Sequence, residues 1–234
     1  TEEYLNVYQH HNESDAEDHV KLILGNIRLS SGAKILDMAC GAGRHAIIFA
    51  RKNFDVTAVD LSESLLAIAK KNADDENLKI NFVHSDIRNF KSYDKFNLVL
   101  NLFTSFGYFE SDEENFSVLR KAYDLLIDDG FFVLDFFNSY FLQQNLVESS
   151  EENLGKVKIH QFRKIKENRV TKKIIIAKNG NLSHFEESVR MFTKDELVNA
   201  IQNIGFDIYK TFGDFLGNEY EQFTSPRLIV ICKK

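Results

Sequence analysis

The chain has 234 residues, of which 44% are hydrophobic and 27% charged, and its formal net charge is −6. This length and composition predict one globular domain, 1–234, with its own core. The acidic balance argues against nucleic acid as a partner, because phosphate binding needs a basic face.

Other broad classes are excluded by what the sequence lacks. The longest apolar runs are too short for a transmembrane helix, and the acidic, polar N-terminus is unlike a signal peptide. We therefore expect a cytoplasmic protein that has no membrane partner. The two cysteines, Cys40 and Cys232, predict no disulfide framework, and their spacing predicts no metal site.

The first part of the chain alternates between helical and strand patterns. Apolar residues recur at helical spacing in the N-terminal region 1–32. Short apolar strands are then predicted at 34–39, 55–59, 80–84, 96–102 and 131–136. Helical patterns fill three of the gaps, at 43–53, 62–73 and 112–127. Such alternation is typical of βαβ units in a parallel sheet that is buried on both faces.

The pattern changes after residue 138, where alternating apolar and polar residues predict an antiparallel β-meander inserted within 139–192. Its three strands are predicted at 157–166, 170–178 and 182–192. The strongest hairpin signal in the chain is the pair Asn179-Gly180. We expect the meander to serve either as a lid or as the contact surface of a homodimer.

The last part of the chain returns to the first pattern. Thr193 and Glu196 form a capping-box pattern, which predicts a helix over 194–204 that ends at Gly205. Two final strands are predicted at 206–212 and 227–232. The fold class is therefore α/β: a doubly wound, Rossmann-like, seven-stranded and mostly parallel sheet with an antiparallel last strand, plus the meander.

The segment that carries chemistry is DMACGAGR, residues 37–44, where the first strand meets the first helix. Gly41 lets the chain turn and lets a ligand touch the backbone, and Gly43 allows close approach at the helix start. Asp60 and Asp86 follow the next two strands. Ligands of open α/β sheets bind at these carboxyl ends, where Asp60 can accept the hydroxyls of a ribose.

The glycines alone also fit a dinucleotide-binding pattern. However, the Asp37 carboxylate at the mouth of the turn would repel a pyrophosphate, whereas it suits a cationic amine. Three acids at successive strand ends therefore favour a cationic nucleoside over NAD. An NAD-dependent oxidoreductase is the first alternative, and a non-catalytic cofactor-binding protein is the second.

The runs ILDMACGAGRHAIIFARKNFDVTAVDLSESLLAIAKKN and FVHSDIRNF resemble the class I S-adenosylmethionine-dependent methyltransferases. The resemblance covers residues 35–138 closely and extends over 193–233. It implies S-adenosylmethionine as cofactor, with Asp37 at the methionine end, Asp60 at the ribose and Leu61 at the adenine. The implied cofactor-binding residues are Asp37, Ala39, Gly41, Gly43, Arg44, Asp60, Leu61, Asp86, Ile87, Asn101, Leu102 and Phe103.

The fourth predicted strand ends in NLFTSFGYF, residues 101–109. This run lacks the proline motif of base and amide methyltransferases. It resembles a subgroup that methylates small molecules and includes amino-sugar N-methyltransferases. The resemblance implies N- or O-methylation of a small molecule by in-line displacement, mainly through positioning. The implied catalytic residue is Tyr108, and the implied substrate residues are Phe106, Tyr108 and Arg190.

Overall fold

The computed structural model describes residues 13–234; residues 1–12, part of the predicted helical region 1–32, lie outside the described range. The helices are α1 (Glu13–Asn26), α2 (Arg44–Arg51), α3 (Glu63–Asp75), α4 (Asp112–Leu125), α5 (Ser139–Gln144) and α6 (Lys194–Ile204). The strands are β1 (Lys34–Met38), β2 (Asp55–Asp60), β3 (Ile80–His84), β4 (Phe96–Asn101), β5 (Leu126–Phe137), β6 (Ser149–Leu154), β7 (Val157–Lys166), β8 (Arg169–Lys178), β9 (Asn181–Arg190), β10 (Asp207–Phe212) and β11 (Arg227–Lys233). Within 13–234, none of the helices has both the length and the apolar character that a bilayer crossing requires.

The main sheet has seven strands in the order β10-β11-β5-β4-β1-β2-β3. Strands β1 to β5 pair in parallel, whereas β11 runs antiparallel to both β5 and β10. This confirms the predicted mostly parallel sheet with an antiparallel last strand. The strand order reverses between β1 and β4, so a ligand site is expected at the carboxyl ends of these two strands.

The core lies on both faces of this sheet. Successive residues of β1 point to opposite faces, so Ile35 packs in one apolar cluster and Leu36 in the other. The Ile35 cluster includes residues of α1 and α2, and the Leu36 cluster includes residues of α4 and α6. This double burial explains why the parallel strands are continuous apolar runs.

The second sheet contains four antiparallel strands in the order β6-β7-β8-β9, and not the three that the alternation predicts. The additional strand, β6, has the sequence SSEENL and pairs with β7 at the edge of the sheet. A polar edge strand has no apolar face, so it leaves no period-two pattern in the sequence. The predicted role of this sheet, as a lid or a dimer contact, stays a prediction.

Local signals predicted most helix ends well. Thr193 and Glu196 form both hydrogen bonds of the capping box at the start of α6, and Gly205 ends that helix with a φ of 118°. The helix predicted at 112–127 was too long, because α4 ends at Leu125 and β5 begins at Leu126. Apolar residues continue through this junction, so their spacing does not mark the change.

Candidate active site

A cleft of about 1090 Å³ opens at the carboxyl ends of the first four strands. It is lined by the turn after β1, residues of α2 and α3, the ends of β2 and β3, the loop after β4 and one residue of β9. The predicted site residues that line it are Asp37, Ala39, Gly41, Arg44, Asp60, Leu61, Asp86, Ile87, Leu102, Phe103 and Tyr108. The fold thus brings together side chains that are up to 71 positions apart in the sequence, from Asp37 to Tyr108.

The glycine turn is tied to the end of β2 by one carboxylate. Asp60 Oδ2 accepts a hydrogen bond from the backbone N–H of Gly41 at 2.7 Å, and Oδ1 accepts one from the N–H of Ser62 at 2.8 Å. Gly41 has a φ of 57°, which a residue without a Cβ adopts at little cost. Asp60 therefore shapes the turn as well as facing the cleft.

Gly43 has a packing role that differs from its predicted contact with the ligand. It caps the N-terminus of α2 with a φ of 79°, and a Cβ built on it would lie 2.8 Å from the Cβ of Ala69 in α3. The absence of a side chain lets α2 and α3 approach each other closely. Gly43 does not line the cleft, whereas Gly41 does.

Asp37 is the least solvated acid at the site. Its side chain is 2% exposed, and its Oδ2 has no hydrogen-bond partner among the described residues. Burial, reinforced by the nearby charge of Asp60, raises the pKa of Asp37 to about 7. A buried carboxylate oxygen that lacks a donor fits the cationic amino group of S-adenosylmethionine, which would supply both a donor and a charge.

The cleft also contains one acid that is paired with an arginine and one exposed apolar side chain. Arg88 donates to both oxygens of Asp86, and these bonds lower the pKa of the Asp86 carboxyl. Leu61 is 67% exposed although it lines the cleft. A flat apolar ring such as adenine could cover this side chain from water.

The loop after β4 forms the remaining wall. Phe103 and Thr104 both have left-handed backbone conformations, with φ values of 56° and 62°. Tyr108 lies at the cleft and is partly exposed. Gly107 packs against β9, since a Cβ on it would lie 2.9 Å from Val189 Cγ1 and 3.0 Å from the carbonyl oxygen of Arg190.

Three other predicted residues do not line the cleft. Asn101 is fully buried beneath it and donates to the carbonyl of Met38 at 3.3 Å. Phe106 packs in the core against Phe136 and Phe192. The structure does not bring Arg190 to the cleft either, because its guanidinium is paired elsewhere.

Arg190 joins β9 to two helices. Its Nε lies 3.2 Å from Asp112 Oδ1 in α4, and its Nη2 lies 2.9 Å from Glu196 Oε1 in α6. Both interactions hold the side chain against these two helices, and Arg190 does not line the cleft. The resemblance implied a substrate contact for Arg190, whereas these ion pairs tie β9 to α4 and α6.

Four charged residues that line the cleft were not predicted as site residues: Arg51, Asp75, Glu76 and Glu187. Glu187 of β9 lines the cleft, together with Ser105 and Phe109 of the loop after β4. Glu187 lies two positions before Val189, so both side chains point to the same face of the second sheet, and Val189 belongs to the main core. This two-residue alternation along β9 could have identified Glu187 as a residue on the same face as the buried Val189.

We expect Asp60→Ala to weaken binding of S-adenosylhomocysteine by roughly 1–3 kcal/mol, the scale of hydrogen bonds to a charged group. The variant should also lose stability, because the N–H groups of Gly41 and Ser62 lose their acceptor. Calorimetric titration and urea unfolding separate the two effects. Asp55→Ala, at the other end of β2, is the matched control; equal affinity of the Asp60 variant and the wild type would refute the assignment.

Comparison with known proteins agrees with this geometry. Residues 35–130 match the protein family described as "Methyltransferase domain". A putative methyltransferase of Geobacillus is 27% identical over 217 residues, which cover 87% of this chain and 85% of that protein. A sugar N,N-dimethyltransferase of Streptomyces venezuelae, which acts on dTDP-3-amino-3,4,6-trideoxy-α-D-glucopyranose, is 33% identical over 43% of this chain and 40% of its own length.

The fold is also shared with solved structures. An S-adenosylmethionine-dependent methyltransferase from Clostridium acetobutylicum superposes with a TM-score of 0.85 over 97% of this chain and 94% of that chain, at 19% identity. This likeness concerns the fold, whereas the match over 35–130 covers the turn, Asp37, Asp60 and Asp86. These findings favour S-adenosylmethionine over NAD as cofactor. The chain is an S-adenosylmethionine-dependent methyltransferase with the class I fold.

Proposed function

We propose that this enzyme transfers the methyl group of S-adenosylmethionine to a nitrogen or oxygen atom of a small molecule bound beside the loop after β4. The observation that carries the proposal is the extent of the cleft. Its volume of about 1090 Å³ is at the upper end of the roughly 300–1,000 Å³ that ligand sites usually have. It also continues from the Asp37–Asp60–Asp86 side to Tyr108 and Glu187.

We assign the residues at the first three strand ends to the cofactor. Asp37 would meet its amino group, Asp60 its ribose hydroxyls, and Leu61 with Asp86 and Ile87 its adenine. When bound, the cofactor supplies an electrophilic methyl group on a sulfonium. The protein holds both ligands in line and excludes water, so the acid–base chemistry required of the chain is limited to accepting one proton from the acceptor.

We assign Phe103, Ser105, Tyr108 and Glu187 to the acceptor side. An amine that accepts a methyl group must give up a proton, and the Glu187 carboxylate and the Tyr108 hydroxyl are polar groups that line this side. The similarity to a sugar N,N-dimethyltransferase supports nitrogen as the acceptor atom. The second sheet would then form one wall of the acceptor site through β9.

The test is a turnover assay with labelled S-adenosylmethionine and a panel of small amines and alcohols, which measures formation of S-adenosylhomocysteine. For a substrate of the wild type, Glu187→Gln should lower kcat/KM by about 10²–10⁴-fold if the carboxylate accepts the proton. Glu186→Gln is the matched control, because this neighbour lies on the opposite face and pairs with Lys173 at 3.5 Å.

Two results of this assay would contradict the acceptor assignment. If Glu187→Gln and Glu186→Gln behave alike on every substrate, the acceptor does not lie against β9. If no member of the panel is methylated but S-adenosylhomocysteine raises the melting temperature, the cofactor assignment stands and the acceptor class is wrong. NAD serves as the negative control in the melting experiment.

A further inference from the structure

The loop after β4 carries two consecutive strained residues at the cleft. Phe103 and Thr104 both have positive φ, and this conformation is unfavourable for any residue with a Cβ and most unfavourable for the β-branched Thr104. Both residues line the cleft. Strained residues of this kind persist only where the surrounding structure holds them, and they are common at functional sites.

The restraint comes from a buried acid on the neighbouring strand. The backbone N–H of Phe103 donates to Asp135 Oδ2 at 2.8 Å, and the N–H of Thr104 donates to the carbonyl oxygen of Asp135 at 3.0 Å. Asp135 is fully buried in β5. Both amides of the strained turn are thus bound by a single residue.

A cation from β11 completes the arrangement. Arg227 Nε donates to Asp135 Oδ1 at 2.8 Å, and its Nη2 donates to the hydroxyl of Thr104 at 3.1 Å. Its guanidinium also lies 5.4 Å from the centre of the Phe103 ring, and the guanidinium of Arg44 lies 4.7 Å from that centre. The ring that lines the cleft is therefore held by two cations.

Helix α1 contributes a histidine that lies next to Asp135. His19 Nδ1 lies 3.9 Å from Asp135 Oδ2, and burial lowers the pKa of His19 to about 3, so its ring is uncharged at neutral pH. Arg227 therefore supplies the positive charge that partners the buried Asp135. A buried acid of this kind is costly without such a partner.

We propose that Asp135 and Arg227 are positioning residues for methyl transfer: they hold Phe103 and Thr104 in the left-handed turn and so fix the wall between cofactor and acceptor. Neither residue lines the cleft, so neither is a catalytic residue. The inference rests on the proposed function only in assigning this wall to the reaction. The restraint itself can be measured without turnover.

The test compares the wild type with Asp135→Asn and Arg227→Gln. An amide has one carbonyl oxygen, so the side chain introduced by Asp135→Asn cannot accept from both Phe103 and Arg227 through separate oxygens. We expect hydrogen exchange of the Phe103 and Thr104 amides, followed by NMR, to become at least about tenfold faster in both variants. We also expect the Kd of S-adenosylhomocysteine to rise about fivefold or more, because the wall that Phe103 forms borders the cofactor as well as the acceptor.

The matched control is Asp129→Asn. Asp129 pairs with Lys233 at 2.6 Å and so joins the same two strands, β5 and β11, at the end far from the cleft. This variant should leave the exchange of both amides and the Kd within twofold of the wild type. In the Asp135→Asn background, Thr104→Gly should restore part of the affinity, because glycine adopts positive φ at little cost.

Unchanged exchange at both amides in Asp135→Asn and Arg227→Gln would overturn the proposal. So would changes of the same size in Asp129→Asn, since these would indicate a general loosening of the sheet. If the Asp135 variant does not fold, Arg227→Gln decides alone. None of these outcomes depends on the acceptor, so a failure here is distinct from a failure of the proposed function.

Discussion

Asp37→Asn is expected to weaken binding of S-adenosylhomocysteine and to remove most of the dependence of its affinity on pH. The ligand offers an ammonium group, and losing a hydrogen bond between charged partners costs about 1.5–3 kcal/mol. In the wild type, the pKa of Asp37 is raised to about 7 in the free protein, so part of the carboxyl is protonated near neutral pH. A cation binds the ionised form, so binding releases this proton.

The sign of the pH effect follows from that release. The affinity of the wild type should rise about tenfold per pH unit up to about pH 7 and then level off. Calorimetric titration at pH 5.5, 6.5 and 8 in two buffers of different ionisation enthalpy measures both affinity and released protons. Asp55→Asn, at the far end of β2, should behave like the wild type.

In the free protein, replacing the same carboxyl is expected to have a favourable effect, which is an increase in the free energy of unfolding. A raised pKa means that the folded state holds a proton that the unfolded chain releases, so Asp37 lowers stability as pH rises from about 4 to about 7. Asp37→Asn should therefore be the more stable protein at pH 8, by up to about 4 kcal/mol, and equal to the wild type at pH 4. Urea unfolding at both pH values measures this difference.

Two results would contradict the role of Asp37. One is a pH-independent affinity of the wild type, which would mean that the carboxyl does not meet the cation. The other is tighter binding of NAD by Asp37→Asn with unchanged binding of S-adenosylhomocysteine. That pattern would mean that the acid opposes a pyrophosphate, as the oxidoreductase alternative requires.

Gly107→Ala is expected to lower the free energy of unfolding by roughly 2–5 kcal/mol. One part is conformational, since φ at this position is 90°. The other part is steric, because the new Cβ would meet Val189 and the carbonyl of Arg190. The N–H of Arg190 also donates to the carbonyl of Gly107 at 2.8 Å, so the strain falls on the contact between the loop and β9.

Gly180→Ala separates the two parts. Gly180 has a similar φ of 83°, but a Cβ there would meet nothing within 4 Å. It should cost only about 1–2 kcal/mol, the conformational part alone. Equal urea midpoints for the two variants would show that the close approach at Gly107 contributes nothing to docking of the second sheet.

Much of the fold could be predicted because its signals are local. The apolar strands, the capping box at Thr193 and the hairpin at Asn179-Gly180 each depend on neighbouring residues. The cleft residues Asp37, Asp60 and Asp86 were predictable for a different reason. Parallel strands bring their carboxyl ends to one edge, so three acids at strand ends meet there whatever the loops between them do.

The rest depends on contacts that local patterns do not encode. Strand β6 is polar, and only its pairing with β7 defines it. Gly107 gives room to Val189, which is 82 positions away in the sequence. The partners of Arg190 are Asp112 in α4, which is 78 positions away, and Glu196 in α6, and only the fold brings Asp112 to β9.

The attachment of β9 to the loop after β4 has a consequence for how such an enzyme can diversify. The residues that we propose for the cofactor come from the ends of β1, β2 and β3, whereas Glu187 comes from a different sheet. Arg169 of β8 fastens that sheet by donating to the carbonyl of Phe109 at 3.1 Å. With the acceptor bound against β9 as we propose, substitutions along β9 should change acceptor preference and leave recognition of the methyl donor unchanged, which makes this strand a target for directed evolution.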